Sequence, residues 1–472
     1  MVLKLSLALA GAVLSTFLLS LSPAFAQSGS VAQTEPVSTS SDWLNWRGPS
    51  QNGSSTQTNL PRSLSPKELQ WKVELPGTGC STPISVAGLV YLTAPEEGKD
   101  TILCIDAMGK EKWATSYGKE NPGRHRNGSG SNASPVSDGQ GVFAYFKSGT
   151  LAAVELDGSK RWDIDLVKEY GLAKMYWSHG TSPVLTKKYV IMARICEGGS
   201  WLAAFDKQTG ELAWKVDRNY ETPKEGDQGY ATPMVINHAG VESILVWGAE
   251  HLTLHNASDG KVTWSCGGFN LKKVKLWPSV ASPVLVGDMI VVPSGRNDKR
   301  KPILHGVKMA GKGDQTKTAH QWMREDASTF VPTPCVRDKQ IYMVRDQGQV
   351  ECFDPQTGET IWEGKLPKSR SKFYSSPLVA NGMIYAPRED GVVFTIKIDD
   401  GKFELGSTND LGESVIGSPI VFGNRVLVRG EKHLFCFGVR SRVVGCLYRW
   451  FMGAQISVEA MSFVRAAFFE WR

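Results

Sequence analysis

Ala204-Phe205-Asp206-Lys207-Gln208-Thr209-Gly210-Glu211-Leu212-Ala213-Trp214 decides the fold of this chain. An apolar strand end runs into Asp-x-x-Thr-Gly, which is turn chemistry: the Asp carboxylate accepts from backbone amides just ahead of it, and Gly takes the positive φ that closes the turn. The following strand then carries a Trp, whose broad ring suits packing flat between neighbouring sheets. The pattern returns from Cys352 to Trp362, with Cys in the small first slot, and from Leu254 to Trp264, with Asn256 in the Asp place. One-residue-shorter versions run from Cys104 to Trp113 and from Ala153 to Trp162.

Working outward from these turns, a small-hydroxyl-Pro step opens each unit: Thr82-Pro83, Ser134-Pro135, Ser182-Pro183, Thr232-Pro233, Ser282-Pro283, Thr333-Pro334, Ser376-Pro377 and Ser418-Pro419. Successive prolines lie 52, 48, 50, 50, 51, 43 and 42 residues apart. A period of that length in a strand-rich chain is the signature of propeller blades. Within a unit, Val379-Ala380-Asn381-Gly382-Met383-Ile384-Tyr385 shows the first hairpin, with Asn-Gly supplying the positive φ of a tight turn. Fourth-strand aromatics follow at Trp113, Trp162, Trp214, Trp264, Trp322 and Trp362, with Phe403 in the seventh unit. The eighth unit has no Trp after Cys436, whereas Trp71 stands unclaimed ahead of the first step. The predicted fold is therefore all-β, an eight-bladed β-propeller with four-stranded blades. An N-terminal strand around Trp71 completes the last blade, leaving no long sheet edge open.

The motif A-x-D-x-x-T-G-[KE]-x-x-W, as it stands from Ala204 to Trp214, resembles the tryptophan-docking repeat of the pyrroloquinoline-quinone (PQQ) repeat, or quinoprotein-like, propellers. The opening Asp42-Trp43-Leu44-Asn45-Trp46-Arg47-Gly48-Pro49 through Asn52-Gly53 is similar to the first segment of exported bacterial, especially planctomycete-like, propellers of this class. The resemblance covers about residues 43–438. It implies three functions. One is a dehydrogenase holding PQQ and Ca²⁺ in the channel with a carboxylate base, but that group's adjacent Cys-Cys pair is missing and its calcium-ligand segments have no match. A second is a scaffold like the lipid-anchored propeller of outer-membrane β-barrel assembly, although no cysteine precedes Cys80 to form a lipobox. The third, and preferred, is a non-catalytic binding or scaffold module for a protein, a glycan or a small anionic ligand, with no cofactor expected.

Lys4, the apolar run Leu5 to Leu21 and the small-x-small site Ala24-Phe25-Ala26 before Gln27 read as a secretory signal peptide. The expected organisation is a signal peptide at 1–26, a flexible linker at 27–42, the propeller at 43–438, and a helical or disordered extension at 439–472. This predicts a periplasmic or secreted monomer with no transmembrane anchor after cleavage. The net charge of +6 falls to about +2 once Lys4 and the Arg-rich 439–472 are set aside, and no basic recognition motif appears, so nucleic acid is not an expected partner. The eight cysteines form no zinc spacing. Cys104, Cys352 and Cys436 share one repeat position, where a small apolar side chain is selected.

Ligand contacts are expected on the face carrying the loops into each first strand. Aromatics precede the hydroxyl-Pro steps in five blades: Tyr176 and Trp177, Tyr230, Trp277, Phe330, and Phe373 with Tyr374. His179 lies in one of these loops. Cations recur ten to twelve residues after the Pro at Lys147, Arg194, Arg345, Arg388 and Arg429. They are expected to ring the same mouth, with Asp346, Glu389 and Glu431 offsetting three of them. No catalytic or metal-binding residue is assigned.

Overall fold

The computed structural model describes residues 42–177, 179–296, 302–398 and 400–439. The expected leader, almost all of the linker and nearly all of the C-terminal extension lie outside these residues. Eight sheets form the body, seven of them built on an antiparallel meander in chain order from an inner to an outer strand, and the eighth completed by the N-terminal strand. Blade one is Ile84–Val86, Leu89–Glu96, Lys99–Ile105 and Glu111–Lys119. Blades two to seven span 136–165, 184–217, 234–266, 284–324, 335–365 and 378–410. Blade eight takes Ile420–Phe422, Arg425–Arg429 and His433–Gly438 from the C-terminal end, and Leu69–Glu74 as its outer strand. Trp71 pairs with Cys436, so the N-terminal strand closes the ring as its sequence predicts.

The repeat explains why the blades stack. Asp206 Oδ1 accepts from the amides of Gln208 (2.8 Å) and Thr209 (3.2 Å), and Gly210 takes φ +75°, which fixes the turn. That turn is the seat for the preceding blade's tryptophan. Trp162 donates its Nε1–H to the Lys207 carbonyl at 3.0 Å, and its ring lies where a Cβ on Gly210 would come within 2.8 Å. The same bond runs forward by one blade from Trp71 to Ala107, Trp113 to Leu156, Trp214 to Ala257, Trp264 to Ala310 and Trp322 to Pro355. Phe403 differs, packing backward against Gly364 of blade six. Blade eight has no third-to-fourth hairpin, because its outer strand comes from the other end of the chain. A blade-seven tryptophan would therefore find no turn carbonyl to meet. Cys104, Cys352 and Cys436 are fully buried between blades, as their shared slot requires.

Two additions interrupt the regularity. Gly313–Asp314, in the excursion between the third and fourth strands of blade five, joins blade four as a short parallel fifth strand. Leu166–Tyr170 forms a helix after blade two, capped by Asp165, which accepts from the amides of Val167 and Lys168.

The opening segment plugs the channel. Trp43 pairs with Ser85, and the Leu44 carbonyl accepts from Ser137. Gln51 exchanges two hydrogen bonds with Val235, the Asn52 carbonyl accepts from Val336, and the Gly53 carbonyl accepts from Val379. All five partners lie two residues beyond a repeat proline, on the inner strands of blades one, two, four, six and seven. Arg47, 3% exposed, donates to the carbonyls of Pro334 (2.5 Å) and Pro377 (3.1 Å). The opening segment thus closes one end of the channel.

Candidate functional site

The hydroxyls that open the repeats form a closed ring around the channel axis. The Thr82 amide donates to Ser134 Oγ (2.9 Å), Ser134 to Ser182 (2.9 Å), Ser182 to Thr232 (3.1 Å) and Thr232 to Ser282 (3.0 Å). Ser282 then donates to Thr333 (2.9 Å), Thr333 to Ser376 (2.9 Å), Ser376 to Ser418 (3.2 Å), and Ser418 back to Thr82 (3.0 Å). Each bond crosses a blade boundary and satisfies an amide just ahead of the inner strand, where the chain has no strand partner. The proline that follows each hydroxyl has no N–H of its own to place.

Above this ring the channel widens into a funnel of about 410 Å³. Such a volume falls within the usual range of small-molecule sites, about 300–1,000 Å³. Its wall carries Trp177, Tyr230, Phe330 and Tyr374 from the loops that lead into blades three, four, six and seven, and Trp46 from the plug forms part of its floor. The Tyr230 hydroxyl fixes this wall, accepting from the Trp177 amide (3.0 Å) and donating to Gln228 (3.1 Å). His125 packs edge-on to Trp177 at 5.0 Å. Charges at the rim largely offset one another: Arg126 with Glu389 (3.1 Å) and Arg296 with Glu225 (3.9 Å). Asp346, 4% exposed, accepts from the amides of Phe330 (2.8 Å) and Val331 (3.2 Å), and burial pushes its carboxyl up. Burial likewise raises the Cys80 thiol.

Of the aromatics expected at the mouth, Trp177, Tyr230, Phe330 and Tyr374 meet in the funnel, while Trp277 does not. Trp277 is 4% exposed and lines a separate pocket with Phe269 and His305. Phe373 is buried in the core between blades six and seven. His179 faces a small cavity with Tyr145 and Arg194, and burial lowers its pKa to about 4, which keeps it neutral.

The cations expected to ring the mouth lie elsewhere. None of Lys147, Arg194, Arg345, Arg388 and Arg429 lines the funnel. Four reach sideways to the carbonyls that follow the preceding blade's outer strand: Lys147 to Pro122, Arg194 to Tyr170 (2.9 Å) and Gly171 (2.8 Å), Arg345 to Asp326 (2.8 Å), and Arg388 to Pro367 (3.0 Å). Their common register is real, but it sits at or just past the end of the second strand, one strand out from the axis, from where the side chains reach across to the neighbouring loop rather than inward. They staple loops. Arg429 is fully buried and donates to the carbonyl (3.0 Å) and the hydroxyl of Ser81. The expected acid pairings also change. Asp390 holds Arg388 (2.9 Å), while Asp346 and Glu389 bond backbone amides of the funnel loops.

The loop Arg124-His125-Arg126, which the sequence places on or near this face, brings His125 to the funnel, whereas Trp46, Lys372 and the hydroxyl ring, which also face it, were not expected there. The ring was the recoverable one, since every repeat step carries Ser or Thr and never Ala or Gly.

A sequence profile of the family described as "Outer membrane protein assembly factor BamB" matches residues 62–173 and 179–364. No curated protein matches the sequence. Among solved structures, BamB from Moraxella catarrhalis superposes with a TM-score of 0.56 at 16% identity, over 79% of this chain and 98% of that one. A europium-containing methanol dehydrogenase gives 0.64 at 10% identity, over 85% and 99%. A quinohemoprotein alcohol dehydrogenase from Comamonas testosteroni gives 0.62 at 12% identity, over 86% and 82%. At such identities the likeness shows the fold alone. The profile match spans more than half of the residues and every blade up to the sixth, so the chain belongs to this family of PQQ-repeat β-propellers.

Proposed function

We propose that this protein is an exported, non-catalytic binding propeller that seats a glycan in the funnel. The observation that carries this is the convergence of Trp46, Trp177, Tyr230, Phe330 and Tyr374 on one cavity with a hydroxyl-lined throat. Sugar rings lay their C–H faces on aromatic platforms and satisfy their hydroxyls with a few placed polar groups, here Asn127, Asn132 and the repeat hydroxyls. The titratable wall residues suit binding better than chemistry. The Asp346 oxygens are taken up by amides, and the Cys80 thiol is held protonated. Export rests on the leader-like residues 1–26.

The dehydrogenase alternative, with PQQ and calcium, needs a ligand set for its metal. Among the described residues no three His, Cys, Asp or Glu side chains gather to hold an ion, which favours the binding reading over that one. The family description favours a second reading as an assembly scaffold for outer-membrane proteins. No helix among the described residues is long and apolar enough to cross a membrane. A panel of soluble oligosaccharides titrated calorimetrically tests the glycan reading. One-to-one binding by at least one sugar, weakened at least about tenfold by Trp177→Ala, is expected from loss of a stacking platform. Absence of binding across the panel, or indifference to Trp177→Ala, refutes it.

A further inference from the structure

Every hydroxyl in the throat ring accepts an amide N–H from the blade before it, and Ser282 alone among the eight has a second described bond, to the Thr232 carbonyl at 3.3 Å. The remaining O–H groups are donors without a described acceptor, and each belongs to a residue only 3–7% exposed that borders the funnel. A hydroxyl that receives a hydrogen bond donates a stronger one. The ring is thus a circle of polarised donors around one axis.

Two buried guanidinium groups flank that circle. Arg47 lies just beneath it, bonded to the carbonyls of Pro334 and Pro377, the residues directly after ring members Thr333 and Ser376. Arg429 lies beside it, bonded to Ser81, the residue directly before ring member Thr82. Neither has a carboxylate partner among the described residues, and the Nε of each and Nη2 of Arg429 are buried without an acceptor. Charge held in low dielectric without a counterion draws an anion toward the nearest accessible space. Here that space is the throat. The same two charges repel a cation that might otherwise coordinate the hydroxyl oxygens. Asp346, the carboxylate on the funnel wall, is engaged by the Phe330 and Val331 amides and sits close enough to Lys372 to be stabilised by it.

We propose that the throat is an oxyanion subsite that takes the acidic end of the ligand, so that the glycan seated in the funnel is an acidic one. This deepens the glycan reading and rests on the funnel being a ligand site.

Inorganic phosphate is the probe for the throat alone, titrated into the full chain by calorimetry. Saturable binding is expected. Ser134→Ala/Ser282→Ala should weaken it at least about tenfold through loss of two charge-assisted bonds, whereas Ser134→Thr/Ser282→Thr, which keeps both hydroxyls, should leave it unchanged. Thermal melts of both variants identify any that fail to fold, and Arg47→Gln then repeats the test without touching the ring. Trp177→Ala should leave phosphate binding intact, which separates this subsite from the aromatic wall. No saturable phosphate binding, or binding equal in the alanine pair, overturns the proposal. Neutral sugars binding as tightly as their uronic-acid counterparts would overturn the acidic preference while sparing the glycan reading.

Discussion

Replacing Trp264 by Ala tests the docking rule that holds the blades together. Its side chain is 1% exposed, and its Nε1–H reaches the Ala310 carbonyl of the next blade at 3.0 Å. Truncating a buried aromatic costs about 3–5 kcal/mol. The donor accounts for about 1 kcal/mol of this range, and the orphaned carbonyl recovers part of that through water that enters the vacated space. About 4 kcal/mol is therefore expected. The unfolding entropy is about 2.1 cal/mol/K per residue near 60 °C, so a ring of roughly 400 residues loses about 0.8 kcal/mol per degree. Differential scanning calorimetry should then show Trp264→Ala melting about 5 °C below the parent. Trp264→Phe keeps most of the ring area but has no N–H, and should fall by about 1–2 °C. A Trp264→Ala melt within about 1 °C of the parent would refute docking as the source of inter-blade cohesion.

Two further outcomes follow from the same geometry. Removing residues 42–75 takes away both the channel plug and the strand that pairs Trp71 with Cys436, so the truncated ring should unfold in a broad, non-cooperative transition; a sharp melt at the parental temperature would show that closure lies elsewhere. His179 is held neutral with its pKa lowered to about 4 by burial. The unfolded chain therefore binds more protons than the folded one between about pH 6.5 and 4, and the stability contributed by neutral His179 is lost as pH falls through that window. Denaturant midpoints across it should decline less steeply for His179→Gln than for the parent. Parallel declines would contradict the assigned burial.

The architecture was legible in the chain because its determinants are local and repeated. Asp-x-x-Thr-Gly makes a turn wherever it occurs, Trp needs a flat seat, and a period of 42 to 52 residues leaves one arrangement in which each blade seats the next. Even the ring closure could be counted from the missing Trp after Cys436 and the spare Trp71. Side-chain direction at the mouth was not local in that sense. Lys147, Arg194, Arg345 and Arg388 share a register, but whether a register faces the axis or the next blade depends on which strand of the sheet carries it and how the sheets pack. The structure turns these cations sideways onto loop carbonyls. Trp46 and Arg47 reach the throat only because the opening segment folds back across five inner strands, contacts that span up to 330 residues of sequence. The eight hydroxyls stood in plain sight as repeat markers, yet a hydrogen bond from each blade to the next exists only once the ring is closed. Sequence thus determined the blades, which are written in short-range chemistry, and tertiary structure decided the site, which is assembled from residues of every blade and of the opening segment.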